Sequence, residues 1–423
     1  MSIISIIFIL GYLAIAFEKS LRINKTATAL VTGVLCWTTY IILTNEKEGV
    51  VEQLIHHLGE ISQILFFLLG AMTIVEIIDT HNGFELITNR INTTSKRKLL
   101  WIIGIISFFL SAVLDNLTTA IVMISLIRKL VNDKNDRLIL AGLIIIAANA
   151  GGSWSPIGDV TTTMLWIGGQ VTALNIIIKL IIPSLVCLLV ALILLGFFFK
   201  GTFQKPADRV QKKFSSNTVF RRNIVFGTGI TVLLLVPVFK MTTHLPPFMG
   251  ILAGLGVMWI ITEIILRNED ENNKKNFSVA DSLRRIDTPT ILFFLGILLA
   301  VAALQSTGQL TLLAGWMDNN IKNQNLIVMS IGVLSSVIDN VPLVAASMGM
   351  YSLEQFPADH YFWEFLAYCA GTGGSILIIG SAAGVAAMGI VKIDFMWYLK
   401  RISWIVLLAY FSGAVAYMLM NAA

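Results

Sequence analysis

The chain has 423 residues, of which 56% are hydrophobic and only 13% charged, and its mean hydropathy is +0.81. A soluble domain needs about a quarter of its residues charged to cover its surface, so a soluble enzyme is excluded, as is a disordered or collagen-like chain. The 30 Lys and Arg outnumber the 25 Asp and Glu, an excess that membrane proteins carry in cytoplasmic loops and that implies no nucleic-acid partner.

Apolar stretches recur from Ile3 to Met420. They predict an all-α polytopic membrane protein with the lipid bilayer as its surroundings. Residues 2–17 lack a basic leader and read as a retained first span. Further spans are predicted at 27–43, 61–79, 138–168, 171–199, 223–240, 247–266, 289–304, 363–391 and 395–421. Several of these fit a bilayer only if broken or tilted. Before the third span, His56, His57 and Glu60 form a titratable cluster in a predicted outside loop. It is either a set of solvated side chains or a pH-sensing or proton-access group. The stretch 80–98, with Phe84, Leu86, Ile87 and Ile91 among polar residues, fits an interfacial helix. Cys36, Cys187 and Cys369 lie in apolar stretches without pairing or metal spacing and are expected to serve packing.

Two apolar segments, 99–127 and 324–352, run to 29 residues each with an Asp-Asn pair in the middle. Lys96, Arg97 and Lys98 precede the first; Arg128, Lys129, Lys134 and Arg137 follow it. Both ends therefore favour the cytoplasm, and the segment reads as a re-entrant hairpin with Asp115-Asn116 at its tip. Non-helical backbone at that depth is tolerable only inside protein or beside water. Counting from there, both termini are outside, and residues 18–26, 80–98, 128–137, 200–222, 267–288 and 392–401 are inside. Those segments hold 26 of the 30 Lys and Arg, the sorting that a multi-pass protein of the cell membrane shows.

The two halves match. Leu65 to Gly70 resembles Leu292 to Gly296, Gly83 pairs with Gly308, and Leu114-Asp115-Asn116 pairs with Ile338-Asp339-Asn340. Gly151-Gly152-Ser153 pairs with Gly373-Gly374-Ser375, and Gly158 with Gly380, all at offsets between 222 and 227 residues. In the derived topology the first copy of each pair runs opposite to the second. The prediction is an inverted repeat of five spans and one hairpin, twice, with a binding site near the midplane built from interrupted helices.

Ionisable groups at that depth cost roughly 2.5–3.5 kcal/mol each on insertion scales and need a reason. Asp115, Asp339 and Asp159 are the deepest. Asp159 follows a run, Asn149 to Gly158, whose glycines and Pro156 break the helix and free carbonyl oxygens. Carboxylate, carbonyl, hydroxyl and amide oxygens suit a hard cation. The matching break at Thr372 to Ser375 offers hydroxyls but no carboxylate, so a cation is expected beside Asp159. The plainer alternative is that each Asp caps a short half-helix. Likewise Asn116, Asn340, Ser335, Thr118 and Thr119 have the alternative role of satisfying backbone at the tips.

The residues Asp115-Asn116-Leu117-Thr118-Thr119, Asn149 with Asp159-Val160-Thr161-Thr162, and Ser335 with Asp339-Asn340 resemble the NhaD-type sodium/proton antiporters. That family belongs to the ion transporter superfamily, whose other members include sodium-coupled anion symporters. The resemblance covers residues from about 60 to the end. It implies a homodimer in which transport parts (99–199 and 324–423) move like an elevator against scaffold parts (1–98 and 223–323), with 200–222 as a basic linker. It also implies a functional set of Asp115, Asn116, Asn149, Asp159, Thr161, Thr162, Ser335, Asn340, Thr372 and Ser375. Where the anion symporters carry Ser at the hairpin tips, this chain carries Asp, which favours a cation.

The expected mechanism is competition. Asp159, helped by Asp115, binds either Na+ or H+, and Li+ is expected to be carried as another small hard cation. No cofactor is expected. A sodium-coupled transporter of dicarboxylates or other anions is the first rival, and two Asp tips repel such substrates. An intramembrane aspartyl protease is a remote one, because Pro156 stands where that family's first Gly belongs. A passive channel is the third.

Overall fold

The computed structural model describes residues 2–16, 18–88, 93–202, 216–267, 269–270, 274, 276–337 and 339–422. Among them nine helices are long and apolar enough to cross a membrane, or up to ten if a bent pair counts as one span. The first half holds α1 (Ile3–Ala16), α2 (Glu18–Leu21), α3 (Lys25–Leu43), α4 (Lys47–Thr80) and the short turn α5 (Glu85–Thr88). It continues with α6 (Lys96–Leu114), α7 (Asn116–Leu130), α8 (Lys134–Ser153), α9 (Val160–Ile167) and α10 (Ala173–Phe198). The second half opens with α11 (Ser216–Thr243), α12 (Pro247–Leu266), α13 (Val279–Arg285), α14 (Thr288–Ser306) and α15 (Gln309–Asn320). Then come α16 (Gln324–Leu334), α17 (Asn340–Met350), α18 (Tyr361–Gly373), α19 (Ala382–Val391), α20 (Phe395–Arg401) and α21 (Ser403–Met420).

Side-chain caps start many of these helices. Asn24, Ser95, Asp133, Asp287, Asn323 and Asp394 each accept a backbone N–H from the first turn that follows. The helix α8 is the most enclosed: every residue from Leu140 to Ser153 is buried, as expected of a helix that is apolar or small on all sides. The three cysteines are free and buried.

The two halves make matching contacts crosswise. The pair α1–α3 is mirrored by α11–α12, and α6–α8 by α16–α18. Between halves, α3 against α14 is mirrored by α12 against α4, α7 against α19 by α17 against α9, and α8 against α19 by α18 against α9. Individual residues follow the same rule. Ser111 Oγ donates to the Ala148 carbonyl at 2.6 Å, and Ser335 Oγ to the Ala370 carbonyl at 3.1 Å. A side chain at Gly151 would run into the Phe108 carbonyl, and one at Gly373 into the Gly332 carbonyl. Both broken helices are thus pressed backbone to backbone against the first arm of a hairpin, which only glycine permits.

Four expectations are corrected. The region before the third span is no loop: α4 starts at Lys47, because its polar residues sit on exposed faces of a continuing helix, so His56, His57 and Glu60 are helical. The predicted outside loop after residue 304 contains α15. The predicted span 395–421 is split at Ile402, and α20 is bent by 116° from α19. Between 80 and 98 the described helical residues before Lys96 are the end of α4 and the turn α5. There Phe84 is 4% exposed and packs on Phe226, with ring centroids 6.3 Å apart, so it faces protein and not the bilayer surface. Ile91, Ile338 and most of the linker 200–222 lie outside the described residues.

Candidate functional site

The backbone between α8 and α9 leaves helical geometry at Trp154 and resumes it after Asp159, which is extended at φ −146°, ψ 145°. Glycines and Pro156 account for the break. At the equivalent position, 222 residues on, Ser381 is extended at φ −141°, ψ 152°. Ser381 caps its own helix by accepting from Gly384 N at 3.2 Å. Asp159 makes no side-chain cap bond. Its carboxylate turns the other way, toward the hairpins.

Asp159 is 2% exposed. Its Oδ1 accepts from Asn116 Nδ2 at 3.0 Å; its Oδ2 accepts from Thr161 Oγ1 at 2.5 Å and from Asn340 Nδ2 at 3.3 Å. Asn116 and Asn340 are the first residues of α7 and α17, so each half sends the start of its hairpin's second arm to one carboxylate. Asn149 extends the network. Its Oδ1 accepts from Asn116 at 3.0 Å, and its Nδ2 donates to Ser375 Oγ at 2.7 Å and Ser381 Oγ at 3.0 Å. All these donors are neutral, and among the described residues no Lys or Arg pairs with Asp159. The hydroxyl of Thr162 is buried without a hydrogen-bond partner, leaving its oxygen available nearby in sequence.

The other predicted residues are placed differently. Asp115, at φ 90°, caps α7: it accepts from Thr118 N at 2.8 Å and Thr118 Oγ1 at 2.9 Å. A positive φ at a residue other than glycine is a strained conformation, and it marks the sharp reversal from α6 to α7. A cavity beside it is lined by Asn116, Thr118, Met72, Thr290 and Phe294. Asp339 caps α17 through Val341 N at 3.3 Å and pairs with Lys25 Nζ at 3.7 Å. Ser335 braces α16 against α18 through the Gly332 and Ala370 carbonyls. Thr372 Oγ1 donates to the Tyr368 carbonyl within its own helix at 2.6 Å.

His56, His57 and Glu60 form a separate group. His57 Nδ1 is 3.3 Å and His56 Nδ1 3.9 Å from a Glu60 carboxylate oxygen. His57 and Glu60 line a cleft with Gln63, Gly168, Gln170 and Gln305, where α4 and α14 face α9 and α17. Three partners of these groups escaped sequence reasoning: Ser153, Ser381 and Lys25. Ser153 donates to the Asn149 carbonyl at 2.7 Å. Ser381 was discoverable, since it stands at the repeat position of Asp159.

Two sets of broken helices and hairpin tips gathered around one enclosed carboxylate define a membrane transporter. Comparison with known proteins agrees. A family profile described as citrate transporter matches residues 12–365. Sodium/proton antiporter 1 of Arabidopsis thaliana is 50% identical over 416 residues, 98% of this chain and 71% of the relative. Sodium/proton antiporter 2 of the same plant is 46% identical over 418 residues, 98% of each chain. The Na(+)/H(+) antiporter NhaD of Vibrio cholerae is 31% identical over 450 residues, 98% of this chain and 91% of the relative. The chain belongs to the citrate-transporter (CitMHS) family, among its NhaD-type sodium/proton antiporters.

Proposed function

We propose that this protein is a secondary antiporter that exchanges Na+ for H+, with Asp159 as the shared binding group. The supporting observation is the setting of that carboxylate: enclosed, without a basic partner, and held by amides and hydroxyls from both halves. A bare carboxylate away from water is costly. A proton or a small cation removes that cost, and the two compete for the same oxygens. Amide oxygens of Asn116, Asn149 and Asn340 and hydroxyls of Thr161, Thr162 and Ser375 are then available to turn toward a hard cation. Li+ fits the same donors. The names of the relatives support the ion pair chosen.

The reading extends to movement. The crosswise contacts fit two halves inserted oppositely, and such halves can exchange roles to give alternating access. Residues 99–199 and 324–423 would form the transport part and move as an elevator against a scaffold of 1–98 and 223–323. The family resemblance supports a homodimer, and the sorting of basic residues supports both termini outside in a cell membrane. Asp115 and Asp339, as caps of α7 and α17, would hold the two tips in register, while Ser335 and Thr372 keep the backbone around them closed.

The family's description as citrate transporters favours one rival, uptake of a carboxylate anion. The site speaks against it, because Asp159 would repel such a substrate and no basic side chain is paired there. A ΔpH-sensitive dye in everted vesicles decides between them. Na+ and Li+ are expected to collapse the gradient, K+ and dicarboxylates to leave it. Sodium-driven uptake of labelled citrate or succinate, without a response to Na+ alone, would overturn the proposal.

A further inference from the structure

We infer that His56, His57 and Glu60 form a binding site for a first-row divalent transition metal such as Zn2+, at the mouth of the cleft and apart from the Asp159 site. One imidazole nitrogen of each histidine and one carboxylate oxygen lie within 4.8 Å of one another. Tetrahedral coordination at about 2.1 Å per bond places ligands roughly 3.4 Å apart. The observed separations of 3.3 Å and 3.9 Å to Glu60 bracket that value, so small side-chain rotations would complete the set. The three residues occupy one helical turn of α4, which fixes their spacing in advance.

His57 shows the outer support that metal ligands use. Its Nε2 lies 3.1 Å from Ser306 Oγ on α14, and its ring lies 6.2 Å from that of Trp37 on α3. That holds Nδ1 toward Glu60. His56 and Glu60 are 72% and 60% exposed, so an ion can reach them and keep water at its fourth position. Two nitrogens and one carboxylate oxygen suit Zn2+, Ni2+ or Cu2+ and do not suit Na+. The site would therefore not be a second cargo site. Glu60 and His57 face the cleft, and a bound dication there replaces a negative charge with a positive field, within the roughly 8 Å reach of charges at physiological salt. Occupation would slow cation access from that side; this second step rests on the antiport reading, whereas the binding step does not.

The test uses the full-length protein, freed of metal by a chelator, with Zn2+ as titrant in calorimetry and Co2+ as a spectroscopic stand-in. The wild type is expected to bind one ion per chain and to give the visible Co2+ bands of a low-coordinate nitrogen-containing site. His56→Ala, His57→Ala and Glu60→Gln should each abolish that binding. Ser306→Ala should weaken it roughly tenfold. His244→Ala and His360→Ala serve as controls and should leave it unchanged. Unaltered binding in a His56→Ala/His57→Ala variant whose melting matches the wild type, or no binding by the wild type, would overturn the inference. In vesicles, added Zn2+ should slow sodium-dependent proton movement in the wild type, and His56→Ala should lose that sensitivity relative to its own metal-free rate. Binding without any sodium-dependent signal would instead count against the antiport reading and leave the metal site standing.

Discussion

The breaks at 154–159 and 374–381 are built alike and charged differently. Each follows a fully buried helix, each is pressed against a hairpin through a glycine that admits no side chain, and each ends in an extended residue before a short helix. Where the second has Ser381 capping its own helix, the first has Asp159 reaching across to Asn116 and Asn340. Where the first has Asn149, the second has Gly371, at which a side chain would crowd Ser153. The repeat supplies a symmetrical frame. The ion-binding capacity comes from departures from symmetry at two positions.

The hairpin tips tell a similar story. Asp115 and Asp339 both cap the helix that follows, but Asp339 also pairs with Lys25 from the start of α3. A lysine so placed neutralises one tip and leaves the neutral donors around Asp159 to serve a mobile cation.

The frame can be broken first. Gly151→Val and Gly373→Val should both cost roughly 3 kcal/mol or more, through overpacking of backbone against backbone. The check is loss of folded protein from detergent extracts in both variants alike; tolerance of either would show that the close approach is not needed. The site can then be weakened without touching the frame. Asn116→Ala and Asn340→Ala each remove a hydrogen bond to a charged group, worth about 1.5–3 kcal/mol, so the apparent Na+ affinity should fall roughly ten- to hundredfold. The loss should be larger for Asn116, which also holds Asn149. Concentration dependence of the dye response measures it.

Smaller effects separate the tips. Asp115→Asn should cost about 1 kcal/mol or less as a cap substitution. Asp339→Asn should cost more, because Lys25 loses its partner, and Lys25→Met should rescue part of that loss in thermal melts. The smallest effect concerns His81, the buried cap at the end of α4, whose Nδ1 donates to the Ile77 carbonyl at 2.9 Å while Nε2 has no partner. Burial pushes its pKa down from 6.5 to about 4. The unfolded chain therefore takes up the proton first. The stability involved is whole above pH 6.5 and is lost as pH falls toward 4. Thermal melts across that range should fall less steeply for His81→Gln than for the wild type.

Much of this architecture can be read from sequence because lipid imposes long apolar runs, and because Gly and Pro in an apolar run have few uses besides interruption. The carboxylate at Asp159 and its amide partners stand out for the same reason. The start of α4 is hidden by Glu48, Glu52 and His56, which look like a loop although they occupy a helix surface. Ser381 is hidden because a hydroxyl in a run of small residues carries no charge to draw notice. Lys25 is hidden because a basic residue at a span end already has an explanation in topology. Its partner Asp339 lies 314 residues away, and nothing in either neighbourhood points to the other.

The most direct measurement compares the two repeat-equivalent positions. Purified Asp159→Asn and Ser381→Ala would each be reconstituted into proteoliposomes at matched protein content, and proton movement driven by a sodium gradient recorded. Background signal from Asp159→Asn, with clear activity in Ser381→Ala, is the predicted result. Exchange at the wild-type rate by Asp159→Asn would contradict the account.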